Sequence, residues 1–130
     1  MEPFAYTPLK NPEYTRLLKL SLSDNEQLEC VLTEVELSGA YNPNKPPPKY
    51  AALSYTWGDT AVTVPLICDG KEMQITQNLA EALHMTLRTN PHEFLWVDQI
   101  CINQKDNDEK AGQVKRMALI YHRTYPPPHT

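Results

Sequence analysis

Two strand exits in this chain end on acids: Asp59 follows YAALSYTWG, and Asp98 follows FLWV. In an open parallel sheet, ligands gather beyond the carboxyl ends of the strands. If these two strands are neighbours, both carboxylates stand on one rim with Trp57, Gly58, Asn103 and Gln104, a polar pocket with an aromatic wall. The chemistry open to that set is binding or loop positioning. Each side chain also has a plainer reading. An aspartate at such a corner commonly caps the following turn or accepts backbone amides, and a single acid without a paired base names no reaction. Asn103 and Gln104 can satisfy loop backbone, and Trp57 can serve as a core anchor.

Other reaction types find less support. Cys101 would need a base, and His84, His92 and His122 are the histidines it could meet, but no spacing requires it. No C-x-x-C or H-x-x-x-H pair offers a zinc site. The four glycines stand alone, so there is no phosphate loop, and no serine lies in G-x-S-x-G. No cofactor or metal is expected, and no residue is assigned a catalytic role.

A chain of 130 residues, 41% hydrophobic and 22% charged, is expected to fold as one domain with a buried core. Its net charge of −4 argues against a grip on nucleic acid or an anionic membrane. The one basic cluster, Lys110, Lys115 and Arg116, reads as a solvated helix face. MEPFAYTPLK has no apolar signal region, and no stretch approaches the roughly 18 apolar residues of a membrane span. These features predict a cytoplasmic protein. Cys30, Cys68 and Cys101, odd in number and far apart, read as small core hydrophobes in a reducing compartment.

Several elements must position the rim. Residues 1–49 read as an extended lead-in held straight by Pro3, Pro8 and Pro12, a β-hairpin, and a proline-rich loop. RLLKLSLS and LECVLTEVEL alternate as strands around SDNEQ. Residues 50–125 read as the core, and 126–130 as a tail. KYAALSYTWGD supplies a short strand. VTVPLICDGKEMQIT supplies a hairpin turning on Asp69 and Gly70, whose Pro65 places its strand at an edge or breaks it. From Asn78 the period turns helical, with Leu79, Ala82, Leu83 and Leu87 on one face and Asn78 with Glu81 as a capping box; this helix ends before Asn90 and Pro91. After the strand EFLWVDQI, KDNDE starts a second helix with Ala111, Val114, Met117, Ala118 and Tyr121 as its apolar stripe. Strand, hairpin, helix, strand, helix is the alternation of an α/β layer with at least two parallel strands.

Four blocks are familiar in order and spacing: YAALSYTWGD (50–59), ITQNLAEALHMTLR (75–88), LWVDQICINQKD (95–106) and EKAGQVKRMALIY (109–121). Together they resemble the fungal heterokaryon incompatibility domain, the HET domain. The lead-in, YTPL through RLLKL to LECVL, is similar to the segment that precedes it. The resemblance implies a module of non-self recognition and programmed cell-death signalling, working through protein partners or self-association. The family in turn is similar to TIR domains, which implies a TIR-like or flavodoxin-like, partly parallel sheet with flanking helices and the N-terminal β-hairpin added. On that likeness LWVDQICINQ is a rim loop. A TIR-like, NAD-cleaving enzyme with a nucleotide ligand is the alternative; the segment after RTYPPPHT that would carry its catalytic glutamate is absent, which leans against activity. A third expectation is an inactive, shortened fragment, whose Val114, Met117 and Tyr121 stripe would be uncovered.

Overall fold

A computed structural model describes residues 2–11, 13–36, 50–53, 55–89 and 94–122, the last helix with side chains as far as Arg116. One mixed sheet of six strands forms its framework, in the order β3-β6-β1-β2-β4-β5. Strands β1 (Tyr14–Leu22) and β2 (Leu28–Glu36) are the expected hairpin, antiparallel from Tyr14↔Glu36 to Leu22↔Leu28. The hairpin lies in the middle of the sheet. β1 is flanked on its other side by β6 (Leu95–Trp96), with Leu18 opposite Leu95. The first half of β1 is accordingly sealed on both faces, Thr15 to Leu18 all being 3% exposed or less.

β4 (Thr63–Cys68) and β5 (Lys71–Thr76) form the second hairpin. Its two-residue turn has Asp69 at φ 52° and Gly70 at φ 79°, the left-handed pair a type I′ turn requires. Pro65 sits where β4 has β5 on one side only, because pairing with β2 is confined to Glu29↔Ile67 and Cys30↔Cys68. A residue without an N–H is tolerated there, since no ladder hydrogen bond is lost. The outer side of β5 is met by the lead-in: Phe4 N–H donates to Glu72 O at 2.8 Å and Glu72 N–H to Glu2 O at 2.9 Å. The sheet therefore has parallel pairs, β3 (Ala51–Ala52) with β6 and β2 with β4, beside antiparallel ones.

Helix α1 (Gln77–Thr89) packs on β1, β4 and β5 and buries Leu79, Ala80 and Leu83. Its first turn departs from the expected capping box. Thr76 is the cap, its Oγ1 accepting the Leu79 N–H at 3.3 Å, while Asn78 turns its amide away to the Thr56 carbonyl at 3.2 Å. The strand-to-helix junction is so tight that the last residue of β5 takes the capping position. The helix ends at Thr89, ahead of Asn90 and Pro91 as expected.

A four-residue helix, α2 (Asp98–Cys101), interrupts what EFLWVDQI offered as strand; only Leu95 and Trp96 pair. α3 (Asn107–His122) begins at Asp106, whose Oδ1 accepts the Glu109 N–H at 3.0 Å. Its stripe differs from the expected one. Ala111 is exposed and Val114 is 52% exposed, while Glu109, Gln113 and Arg116 turn inward. The side chains of Met117, Ala118 and Tyr121 lie outside the described residues. For Glu109 and Gln113 the reason is polar: β1 presents Thr15 and Arg16 to this helix, and side chains that return hydrogen bonds cover them without leaving those groups unpaired. Arg116 thus leaves the basic cluster that Lys110 and Lys115 keep at the surface.

The core runs through Leu17, Leu18, Leu66, Ile75, Leu79, Leu83, Trp96, Val97 and Ile100, each 1% exposed or less. Cys30, Cys68 and Cys101 are buried free thiols within it.

Candidate contact site at the carboxyl ends of β3 and β6

β3 and β6 run parallel as neighbours, Ala51 opposite Leu95 and Ala52 opposite Trp96. Leu53 N–H donates to Trp96 O at 2.9 Å, and from there both chains leave the sheet at the same end. Asp98 receives what the β3 exit delivers. Its Oδ1 accepts the Tyr55 hydroxyl at 3.0 Å and the Gln99 N–H at 2.8 Å, and its Oδ2 accepts Trp57 Nε1–H at 3.3 Å. Gln99 extends the network: its Nε2 donates to the Tyr55 hydroxyl at 3.0 Å and to Thr76 Oγ1 at 3.1 Å, while its Oε1 accepts the Thr76 N–H at 2.8 Å. Gln104 Nε2 donates to the Asp98 carbonyl at 2.9 Å. The β3 exit, the start of α1 and the turn of α2 are thereby tied into one corner. Burial, followed by the facing Asp98 carboxylate, pushes the Tyr55 phenol well above its ordinary range, so Tyr55 holds its proton as donor.

The other candidates lie close by in sequence and bond locally. Asp59 is exposed; its Oδ1 accepts Ala61 N–H at 2.9 Å and its carbonyl accepts Val62 N–H at 3.2 Å, both within its own turn. Asn103 Oδ1 accepts Lys105 N–H at 3.2 Å, an Asx turn. Trp57 is half-buried, with its indole N–H committed to Asp98.

Gly58 has a specific reason to be glycine. Its φ is +71°, and a Cβ placed there would stand 2.4 Å from Asn78 Nδ2. Gly58→Ala is expected to cost about 1–2 kcal/mol from the backbone alone and to push Asn78 off the Thr56 carbonyl. Urea denaturation measures the loss, and Asn78→Ala added to Gly58→Ala should relieve the steric part only.

Behind this corner lies a second network that the residue types had not signalled. Arg16, third residue of β1, forms a two-pronged ion pair with Glu109, both distances 2.8 Å, with side chains 4% and 7% exposed. The guanidinium also donates to Cys101 O at 3.0 Å and Thr7 O at 2.9 Å, and lies 4.8 Å from the Tyr6 ring centre. Glu109 in turn accepts the Asn103 N–H at 2.6 Å. The Tyr6 hydroxyl donates to Ile100 O at 2.6 Å. Beside it, Trp96 Nε1–H donates to Thr15 Oγ1, Thr15 to Gln113 Oε1, and Gln113 Nε2 to Tyr14 O. LWVDQICINQ is therefore held from two sides, by Tyr55 and Trp57 at Asp98 and by Arg16, Tyr6 and Glu109 further on. One signal for Arg16 was in the sequence: strand alternation puts it on the same side as Leu18 and Leu20, an inward parity for a charge.

Cys101 is no nucleophile in this setting. It is fully buried, burial pushes its thiol up to about 12, and its sulfur accepts the Val97 N–H. A thiol that stays protonated does not attack. His92 and the side chain of His122 lie outside the described residues. No group of His, Cys, Asp and Glu among the described residues can hold a metal ion, and no helix among them is long and apolar enough to cross a membrane. Two cavities, about 360 and 240 Å³, are lined instead by the lead-in with β1, β2 and the β4–β5 turn, and by the lead-in with α3.

Comparison with known proteins agrees with the blocks that frame this corner. Residues 50–126 match the family model described as heterokaryon incompatibility protein (HET). Over 93 residues the chain is 41% identical to heterokaryon incompatibility protein 6, OR allele, of Neurospora crassa, an alignment covering 61% of this chain and 14% of that protein. No solved structure matches. With more than half of its length inside the family model, the chain belongs to the fungal heterokaryon incompatibility (HET) family.

Proposed function

We propose that this chain is the protein-contact module of an incompatibility response, presenting the 55–59 loop and the 98–104 segment to a partner whose engagement leads to cell-death signalling. The observation that carries the reading is the state of Asp98. Both of its carboxylate oxygens are already taken, by Tyr55, Trp57 and the Gln99 amide, so it acts on loop geometry and is not a free acid. It fixes the loop whose outer residues, Thr56, Gly58, Asp59 and Thr60, stand in solvent. A rigid, exposed loop loses little further entropy when a partner binds.

Asp98→Ala is the test. In the purified chain the variant should keep a cooperative transition and lose about 1–3 kcal/mol, the cost of leaving the Tyr55 and Trp57 donors without their acceptor. In a longer protein carrying this domain it should abolish cell death on expression in fungal cells. Loss of the transition itself would make Asp98 a folding cap and remove its assignment to the contact surface. The parallel β3–β6 pair, with both exits on one rim, supports a TIR-like reading of this part of the sheet and with it the alternative of NAD cleavage. Incubation of the purified chain with NAD separates the two: consumption of the dinucleotide would replace the contact reading with an enzymatic one.

A further inference from the structure

We propose that Cys30 and Cys68 form a modification site, a facing pair of thiols that a peroxide converts into an intramolecular disulfide across the seam between β2 and β4. Their distance in sequence conceals the pairing. In the sheet they are direct partners, Cys30↔Cys68, on adjacent parallel strands. Residues paired this way point to the same face, and neighbouring strands lie about 4.7–4.9 Å apart, inside the about 4.4–6.8 Å window of Cα separations that a disulfide spans. Closing the bond requires rotation of side chains and no shift of register. Both residues are buried, 3% and 0% exposed, and both are free thiols.

The location gives the bond a consequence. The β1–β2 hairpin is zipped by nine residue pairs and the β4–β5 hairpin by six, yet the two are joined by only two, Glu29↔Ile67 and Cys30↔Cys68. The seam is supplemented by Asp69 N–H to Cys30 O at 3.0 Å, Leu32 N–H to Asp69 Oδ1 at 3.2 Å, and Gln27 Nε2 to Pro65 O at 3.1 Å. A covalent bond here would clamp the narrow joint between the two hairpins and, through β5, the start of α1 that frames the Asp98 corner.

The reaction balances with a peroxide as the sole oxidant. One thiol, as its thiolate, attacks a peroxide oxygen; the O–O bond breaks, giving a sulfenic acid and, with hydrogen peroxide, one water. The facing sulfur then attacks the sulfenic sulfur, and the S–S bond forms as its hydroxyl leaves as a second water. Two thiols lose two protons and two electrons, and hydrogen peroxide takes them up to become two waters. Both sulfurs are buried away from water, so the first step proceeds through local opening of the seam and is slow. Cys101, also buried but bonded to the Val97 amide, serves as an internal control.

The experiment treats the native 130-residue chain with hydrogen peroxide, blocks remaining thiols under denaturing conditions, and maps peptides by mass. The expected product has lost two hydrogens, links the Cys30 and Cys68 peptides, and leaves Cys101 blocked as a thiol. Its Tm should rise by on the order of 10 °C for a loop of this length, and dithiothreitol should reverse both changes. Cys68→Ala should show neither the link nor the rise. A bridge through Cys101, a disulfide between molecules, over-oxidation without a link, or three intact thiols would each overturn the proposal. The readout is chemical, so it stands or falls independently of the contact function.

Discussion

A chain beginning at residue 50, where the family model begins, is expected to show no cooperative unfolding transition, whereas the chain from residue 1 should show one. The expectation follows from strand order. Residues 50–126 carry β3, β6, β4 and β5, but in the sheet β6 and β4 are separated by β1 and β2. Removal of β1 and β2 leaves two pairs with no edge in common, one of them only two residues long in each strand. It also uncovers Trp96, Leu95, Leu66 and Cys68, all 3% exposed or less. A two-stranded pair is marginal in water, and burial of apolar area at about 25 cal/mol per Å² is the main favourable term. Circular dichroism through a thermal ramp, with size exclusion to detect association, is the measurement. A sharp transition in a monomeric 50–130 fragment would mean that the family segment closes its own core.

Arg16→Met is the second large effect, an expected loss of about 3–5 kcal/mol, because it strands the Glu109 carboxylate in a buried site. Against a total of about 5–15 kcal/mol for a domain this size, that is enough to leave the variant partly unfolded at physiological temperature. Charge removal reaches further than one pair. Arg16 also holds the Cys101 and Thr7 carbonyls, and Glu109 holds the Asn103 amide, so the 101–106 stretch should loosen first in hydrogen exchange. Glu109→Leu alone should be comparably damaging. The double variant Arg16→Met with Glu109→Leu should be less destabilised than the two losses added, since no charge is then left alone; urea denaturation of the four species gives the coupling directly. Simple additivity would show that the pair is not coupled and that the guanidinium acts through its carbonyl contacts.

The sequence by itself determined the local devices. Strand alternation in RLLKLSLS and LECVLTEVEL, the Asp69–Gly70 turn, the stop before Asn90 and Pro91, and the acid-rich start of α3 depend on neighbours within a few residues, where pattern and turn chemistry are decisive. The four ordered blocks determined the family. Of the candidate corner, the sequence supplied the members Trp57, Asp98 and Gln104 but not how they bond, because hydrogen-bond partners 41 to 44 residues apart, such as Trp57 with Asp98 and Tyr55 with Gln99, leave no periodic trace.

What only the tertiary structure decided is sheet order and the polar interior that follows from it. No pattern within the hairpin says that β1 lies between β6 and β2, and that position seals Arg16 and Thr15. Their sealing then obliges α3 to turn Glu109 and Gln113 inward and leave Val114 in solvent. At Ala111 and Val114 the apolar stripe read from α3 failed because unpaired buried polar groups cost more than an exposed valine. For the same reason the thiols of Cys30 and Cys68, 38 positions apart, meet only once β2 and β4 are laid side by side.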